Sequence, residues 1–249
     1  MTERRHTPLT EPVIDPHACT PQLRLAVLGR DPLFTGLPPA ELAAVDTHFR
    51  ARHYAAGEPI YHSGDPADRL FIPAAGLSRV SRTAIDGRET LLGLHGPGES
   101  FGALPSLGVG TYPDDARALT FTCLLHVSSE QFAALVDELP RVAVAALHRI
   151  GQRLAEAHES VHLLSGAPLE QRLAAALLVL AEKIGEPWEG MTLLQAPLGR
   201  EDLAALTGSA TESVSRLLSR WRRDGLVESG RRWVALADID RLAAVRDAA

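Results

Sequence analysis

Three groups of residues have types and spacings that could do chemistry. His158-Glu159-Ser160-Val161-His162 satisfies the H-E-x-x-H pattern. On a helix that spacing sets two imidazoles on one face with a carboxylate beside them, the arrangement a zinc peptidase needs. Cys19 and Cys123 are the two thiols of the chain, too few for a disulfide framework or a four-thiolate metal site, so redox chemistry is not the leading expectation. The third group is a concentration of guanidinium groups. Between Leu198 and Val234 seven Arg (Arg200, Arg216, Arg220, Arg222, Arg223, Arg231, Arg232) stand against five acids, a local excess of +2 in a chain whose net charge is −6. For a polyanionic partner that distribution matters more than the sum.

The guanidinium group has a helical geometry. The order strand (Met191–Gln195), helix (Arg200–Leu206), Gly208 turn, helix (Thr211–Arg223) and a hairpin at Trp233 reads as a winged helix-turn-helix. At about 100° per residue, Val214, Leu217, Leu218 and Trp221 fall on one side of the second helix, and Glu212, Ser215, Arg216, Ser219 and Arg223 on the other. One face packs and the other is polar. Such a helix suits the DNA major groove, where Arg bonds guanine, Glu accepts from cytosine and Ser serves either role. Arg200 at the start of the preceding helix is placed to meet phosphate, as are Arg231 and Arg232 in the hairpin. A purely structural role competes for one member, since Ser209 and Glu212 have capping-box spacing.

The remaining elements must position these residues. With 249 residues, 45 % hydrophobic and 22 % charged, the chain has ordinary globular composition and room for one large or two modest domains. The longest apolar run, Leu173 to Ala181, is far below the ~20 residues of a bilayer helix, and the first residues carry charge and four prolines rather than a secretory signal. A cytoplasmic protein without a membrane partner is expected. Residues 1–27 read as a flexible arm. From Leu33 to Val127 short apolar runs (Glu58–His62, Arg69–Pro73, Leu77–Arg82, Thr90–Leu94, Ala116–Val127) alternate with Gly, Pro and Asp punctuation, the pattern of an antiparallel barrel.

Ser128-x-x-Gln131 then resembles a capping box that opens a helical region. Leu147, Ile150, Leu154, Ala157, Val161 and Leu164 follow at a 3-4-3-4-3 spacing, a seam about 27 Å long that needs an apolar partner. A second copy of the chain would supply one, and so would the chain's own barrel. Val161 belongs to this seam and no third ligand follows His162 at a matching spacing, so His158, Glu159 and His162 read as a solvated face, and neither a zinc-dependent hydrolase nor any other metal site is expected. Ser165-Gly166-Ala167-Pro168 ends the helix as a hinge. The expected organisation is α+β: an N-terminal antiparallel β-roll over 28–137, a long dimerisation helix over 138–165, the winged helix-turn-helix over 166–236, and a tail over 237–249.

Several phrases carry a resemblance: Ala56-Gly57-Glu58-Pro59-Ile60-Tyr61, Gly64-Asp65-Pro66-Ala67-Asp68-Arg69-Leu70, Gly87-Arg88-Glu89, Gly96-Pro97-Gly98-Glu99-Ser100-Phe101-Gly102, and Glu212-Ser213-Val214-Ser215-Arg216-Leu217-Leu218. From about Leu28 to Leu236 the chain resembles the cyclic-AMP receptor protein / fumarate-nitrate reduction regulator (Crp/Fnr) family of bacterial transcription factors. The resemblance implies base contacts from Glu212, Ser215 and Arg216, a homodimer on a palindrome of TTGAT-like half-sites, and RNA polymerase as a further partner. Thr211 stands where the cyclic-AMP branch carries another base-reading Arg, which turns the expectation away from a TGTGA site.

The family's barrel holds cyclic nucleotide through Gly-Glu-Leu and a later Arg-Ser or Arg-Thr. This chain has Gly102-Ala103-Leu104 and Tyr112-Pro113-Asp114-Asp115 instead. Loss of the phosphate cation and gain of two carboxylates disfavour an anion, so cyclic AMP is not the expected effector, and Arg117 reads as a structural strand residue rather than a substitute. The iron–sulfur branch needs four cysteines, three near the N-terminus; only Cys19 lies there, and Cys123 stands about two residues from the register of the fourth. A four-cysteine cluster is excluded within one chain. Haem through the Cys and His that the carbon-monoxide-sensing branch uses is not supported, while ligation by His95 or another histidine, in a haem- or redox-sensing version of the same regulator, stays open. The effector is an unidentified small molecule or redox event.

Overall fold

Alternation along two strands decides how the first unit of the chain is layered. The computed structural model describes residues 8–9 and 19–248, with no side chain at Ser106, and divides into two units, one over 12–83 and 92–157, the other over 84–91 and 158–249 together with the start of the chain. Eight strands are antiparallel: β1 Arg50–Tyr54, β2 Pro59–Tyr61, β3 Arg69–Ala75, β4 Ser78–Thr83, β5 Glu89–His95, β6 Phe101–Ala103, β7 Asp115–Ala118 and β8 Thr122–Ser128. All lie in the first unit except residues 89–91 of β5, which fall in the other. They make two four-stranded sheets, ordered β1-β8-β3-β6 and β2-β7-β4-β5. Phe71 of β3 and Leu124 of β8 point between the sheets, into a core with Tyr54, Tyr61, Phe101 and Tyr112. Their neighbours Leu70, Ile72, Cys123, Leu125 and Val127 point the other way, into a core shared with helices. Those helices are α1 Pro21–Leu28, α2 Pro39–His48, α3 Ser129–Glu138 and the first turns of α4 Arg141–Gly166.

A strand covered on both faces is apolar throughout, which is why Ala116–Val127 reads as one continuous run. It is two strands, β7 and β8, separated by residues 119–121. Gly76, between β3 and β4, has φ +78°, and a Cβ there would stand 2.2 Å from the Phe121 carbonyl oxygen.

The N-terminal boundary differs from the expectation. Residues 1–7 and 10–18 of the expected arm lie outside the described residues, but Pro21–Leu28 is helix, with Val27 and Leu28 buried. Thr20 Oγ1 accepts from Leu23 N at 3.2 Å and proline occupies the first turn, the usual start of a helix. Cys19 just before it is bonded to Cys123, 104 residues away. No local pattern points to that pairing. Strand β1 also escapes pattern reading, because in Arg-Ala-Arg-His-Tyr only Tyr54 is fully buried. The expected capping box is present: Gln131 N donates to Ser128 Oγ and Ser128 N to Gln131 Oε1, both at 3.2 Å.

The boundary between the units falls inside α4, whose faces are unlike. Val142 and Ala146 are buried, in the helical core of the first unit. The seam is not laid on the barrel: Leu147 (68 %), Ile150 (43 %), Leu154 (56 %), Val161 (62 %) and Leu164 (41 %) retain large exposed fractions, and Ala157 is exposed.

The second unit holds α5 Leu169–Ile184, β9 Gly185–Trp188, β10 Met191–Leu194, α6 Arg200–Thr207, α7 Thr211–Arg223, β11 Val227–Gly230, β12 Trp233–Leu236 and α8 Ile239–Arg246, with sheet order β11-β12-β10-β9. Strand β9 uses the Gly185 and Pro187 that read as a helix stop, pairing Pro187 with Thr192 at the sheet edge, where a missing N–H is tolerated. The expected tail over 237–249 is corrected by α8, capped by Asp238 and anchored by buried Leu242 against α5. Among the described residues no helix is long and apolar enough to cross a membrane.

Candidate nucleic-acid interface

Helix α7 is amphipathic as its sequence requires. Val214, Leu217, Leu218 and Trp221 are buried, while Glu212, Arg216, Ser219 and Arg223 are exposed and Thr211 and Ser215 partly so. The turn before it is set by Gly208 in the left-handed region (φ 58°), a conformation glycine adopts without a Cβ penalty. A side chain there would crowd Leu164 Cδ2 at 3.3 Å.

The capping role that competed for Glu212 is not taken. The N-cap of α7 is Ala210, with no side-chain cap, and Ser209 Oγ instead accepts from Arg172 Nη2 at 3.2 Å and donates to the Thr207 carbonyl at 3.2 Å. The carboxylate of Glu212 therefore stands on the exposed face beside Arg216. Arg216 Nη2 lies 3.4 Å from Ser213 Oγ, a long contact on an exposed guanidinium, and Ser219 Oγ donates to the Ser215 carbonyl at 2.8 Å. Along α7 runs a cleft of about 530 Å³ lined by Ser213, Ser215, Arg216, Ser219, Arg220 and Arg223 with residues of α5. Ser213, and Arg220 of the seven guanidinium groups, lie at the edges of the polar arc, outside the face that helical spacing assigns to base contact. Arg220 pairs with Glu170 at 2.8 Å and Arg222 with Glu228 at 3.0 Å, so two of the seven guanidinium groups are engaged within the unit.

Arg200 is also partly engaged. Its Nη2 donates to Ser229 Oγ of β11 at 3.1 Å, and burial lowers its pKa, the mark of a cation held near a protein surface rather than fully in water. Arg231 and Arg232 form the turn between β11 and β12 and are exposed. Arg232 adopts φ 63°, which costs a non-glycine residue about 1–2 kcal/mol, and its Nε donates to the Pro197 carbonyl at 3.2 Å.

His158, Glu159 and His162 are exposed on α4, and among the described residues the one group of three potential metal ligands is elsewhere, at Cys19, His53 and Cys123.

The second candidate site is in the barrel, around Tyr61, Tyr112 and Asp114. Asp114 Oδ1 accepts from Tyr61 Oη at 2.9 Å, and the Tyr61 ring stacks on Tyr112 with centroids 3.8 Å apart. Burial pushes the Tyr61 hydroxyl far above the phenol range, pushes Tyr112 up to about 12 and raises the Asp114 carboxyl. Asp115 stands 3.2 Å from His62 Nδ1, and Arg117 points outward from β7, exposed. Beside them is a cavity of about 260 Å³ lined by Tyr61, Asp65, Asp68, Arg69, Phe71 and Tyr112, and the Arg69 guanidinium in that lining lies 3.6 Å from Asp68.

Comparison with known proteins finds matches for both units. Residues 51–138 match the family model of a cyclic nucleotide-binding domain and residues 171–245 that of a Crp-like helix-turn-helix domain. The chain is 36 % identical over 200 residues, 80 % of its length and 89 % of the relative's, to a protein of Thermus thermophilus named cyclic AMP receptor protein. Among solved structures it is similar to FixK2 from Bradyrhizobium japonicum, with TM-score 0.72 and 25 % identity over 81 % of this chain and 98 % of that one. It is also similar to a CRP/FNR-family transcriptional regulator of Thermus thermophilus, with TM-score 0.66 and 28 % identity over 80 % and 99 %.

Proposed function

Because the chain belongs to the Crp/Fnr family of DNA-binding transcription regulators, we propose that it acts as a cytoplasmic homodimer on a palindrome of TTGAT-like half-sites, under an effector other than cyclic AMP. The observation that carries the operator reading is the uncovered polar face of α7, with Glu212, Ser215 and Arg216 exposed or half-exposed beside one another. Glu212 then accepts from cytosine, Arg216 donates to guanine, and Ser215 serves the base between. Thr211, Ser219 and Arg223 border that contact. Arg200, Arg231 and Arg232 supply phosphate contacts, which set position and affinity rather than sequence.

The dimer is supported by the seam of α4, a row of aliphatic side chains exposed in a single chain. The exclusion of cyclic AMP is supported by the Asp114 carboxyl beside Tyr61, by the Tyr61–Tyr112 stack and by the Asp68 carboxylate 3.6 Å from Arg69, groups that disfavour an anion. An effector in the barrel shifts the population of α4 and hinge 165–168 arrangements, and so the separation of two recognition helices that must reach half-sites about 34 Å apart. RNA polymerase is the downstream partner.

Selection from random duplexes tests the reading. Wild-type protein should enrich a palindrome, and Arg216→Ala should lose about 1–3 kcal/mol of discrimination at one base-pair position per half-site. Equal weakening at every position would remove Arg216 from base reading.

A further inference from the structure

We propose that Cys19, Cys123 and His53 form a binding site for one zinc-type metal ion, and that this site and the Cys19–Cys123 disulfide are alternative states of the same atoms. Strand pairing places His53 of β1 directly opposite Cys123 of β8, so the two side chains emerge side by side on one face of the sheet. The approach to α1 brings Cys19 over the same spot. The two sulfurs and one imidazole nitrogen all lie within 4.8 Å of one another. His53 Nε2 is buried and has no hydrogen-bond partner, although a buried polar nitrogen without one costs free energy. Coordination to a metal would satisfy it. The imidazole is held in place by stacking on Phe121, with centroids 5.9 Å apart.

Two thiolates and a neutral imidazole are the donor set of zinc-type ions, at about 2.3 Å from sulfur and about 2.0 Å from nitrogen, with a fourth position left to water. Placing both sulfurs on one tetrahedral ion separates them to about 3.8 Å, which rotation about the two Cα–Cβ bonds accomplishes. The states exclude each other chemically. A dithiol reductant of the thioredoxin class gives two electrons and two protons to the Cys19–Cys123 bond and becomes a disulfide itself; the two thiols formed then release two protons as the divalent ion binds. In either state Cys19 is tied to β8, by a covalent bond or through the ion. In the reduced, metal-free state it is released, so the site reports metal supply and redox poise at the attachment of α1 to the barrel.

The test uses the full-length protein and cobalt(II) as a spectroscopic stand-in for zinc. Reduced wild-type protein titrated with cobalt should develop thiolate charge-transfer bands and tetrahedral d–d bands that saturate at one ion per chain and vanish on adding zinc. Protein oxidised to the disulfide should show neither. His53→Ala, with an unchanged far-UV spectrum, should bind at least ~10-fold more weakly, a loss that even an outer-shell partner brings, and Cys123→Ser should lower the charge-transfer intensity per bound cobalt to about half or less, since one thiolate remains. Absence of saturable bands in the reduced wild type overturns the site without reference to any variant. Equal affinity of His53→Ala and wild type would reduce it to a bare dithiol and overturn the three-ligand assignment. None of these readouts involves DNA, so failure here leaves the operator reading intact, and the reverse.

Discussion

Leu154 is the seam residue whose replacement separates assembly from folding. Its side chain is 56 % exposed in a single chain, so Leu154→Asp adds a solvated carboxylate to the protomer surface and leaves the protomer's cores untouched. In a dimer closed along α4 the consequence is large. Full burial of a leucine is worth about 1.5–3 kcal/mol; with a little over half of it still exposed, association gains about 1–1.5 kcal/mol per copy and about twice that from the pair. The aspartate forfeits this gain and carries two like charges into an apolar seam, at a further cost of several kcal/mol. A total near 5 kcal/mol raises the dimer dissociation constant by three to four decades. Sedimentation velocity should show a monomer, fluorescence anisotropy on the full palindrome should show a loss of at least ~100-fold, and the far-UV spectrum should be unchanged. Tight, sequence-specific binding of the palindrome by the monomeric variant, or a dimer that persists, would refute the assignment of the seam and its coupling to operator binding.

Three further outcomes are expected. Arg200→Ala should weaken binding to all sequences alike and lower the slope of log affinity against log salt by about 1, read from anisotropy titrations at several salt concentrations; a loss confined to one base pair would contradict a phosphate role. Asp114 has a carboxyl pKa raised chiefly by burial, so its ionised form is penalised in the folded state and wild-type stability falls as pH rises through that raised value. Asp114→Asn should therefore unfold at a higher temperature than wild type at neutral pH and lose the advantage below the ordinary carboxylate range, and equal melting curves across that range would remove the buried charge from the balance. Gly76→Ala needs a Cβ 2.2 Å from a backbone oxygen at φ +78°, whereas Gly57→Ala at φ +84° meets nothing within 4 Å; urea midpoints should show about 1–2 kcal/mol lost at Gly57 and more than ~4 kcal/mol at Gly76.

Much of the architecture was legible because it is written in short-range patterns. The Thr211–Arg223 helix, its buried and polar faces, the Ser128–Gln131 capping box and the apolar row along α4 all repeat within one or two turns, and propensity, capping and periodicity agree there. The misreadings fall where a local signal was weak or pointed the other way. Arg50–Tyr54 carries too much charge to read as a strand until β8 lies beside it. Gly185 and Pro187 mark a helix stop and also serve as an edge strand. Leu242 becomes core only once α8 meets α5.

What the chain's order of residues settled by itself is the helix-turn-helix and the apolar spacing along α4, whose physics is that of single helices; that the row on α4 stands exposed was decided by the tertiary structure. Tertiary structure alone decided that Cys19, His53 and Cys123 converge, that Tyr61 and Tyr112 stack over Asp114, and that Glu212 is spared from capping. Pairing across 104 residues depends on strand register and on which face of a sheet each side chain takes. A one-residue slip would send Cys123 to the opposite face, and no local pattern encodes that choice.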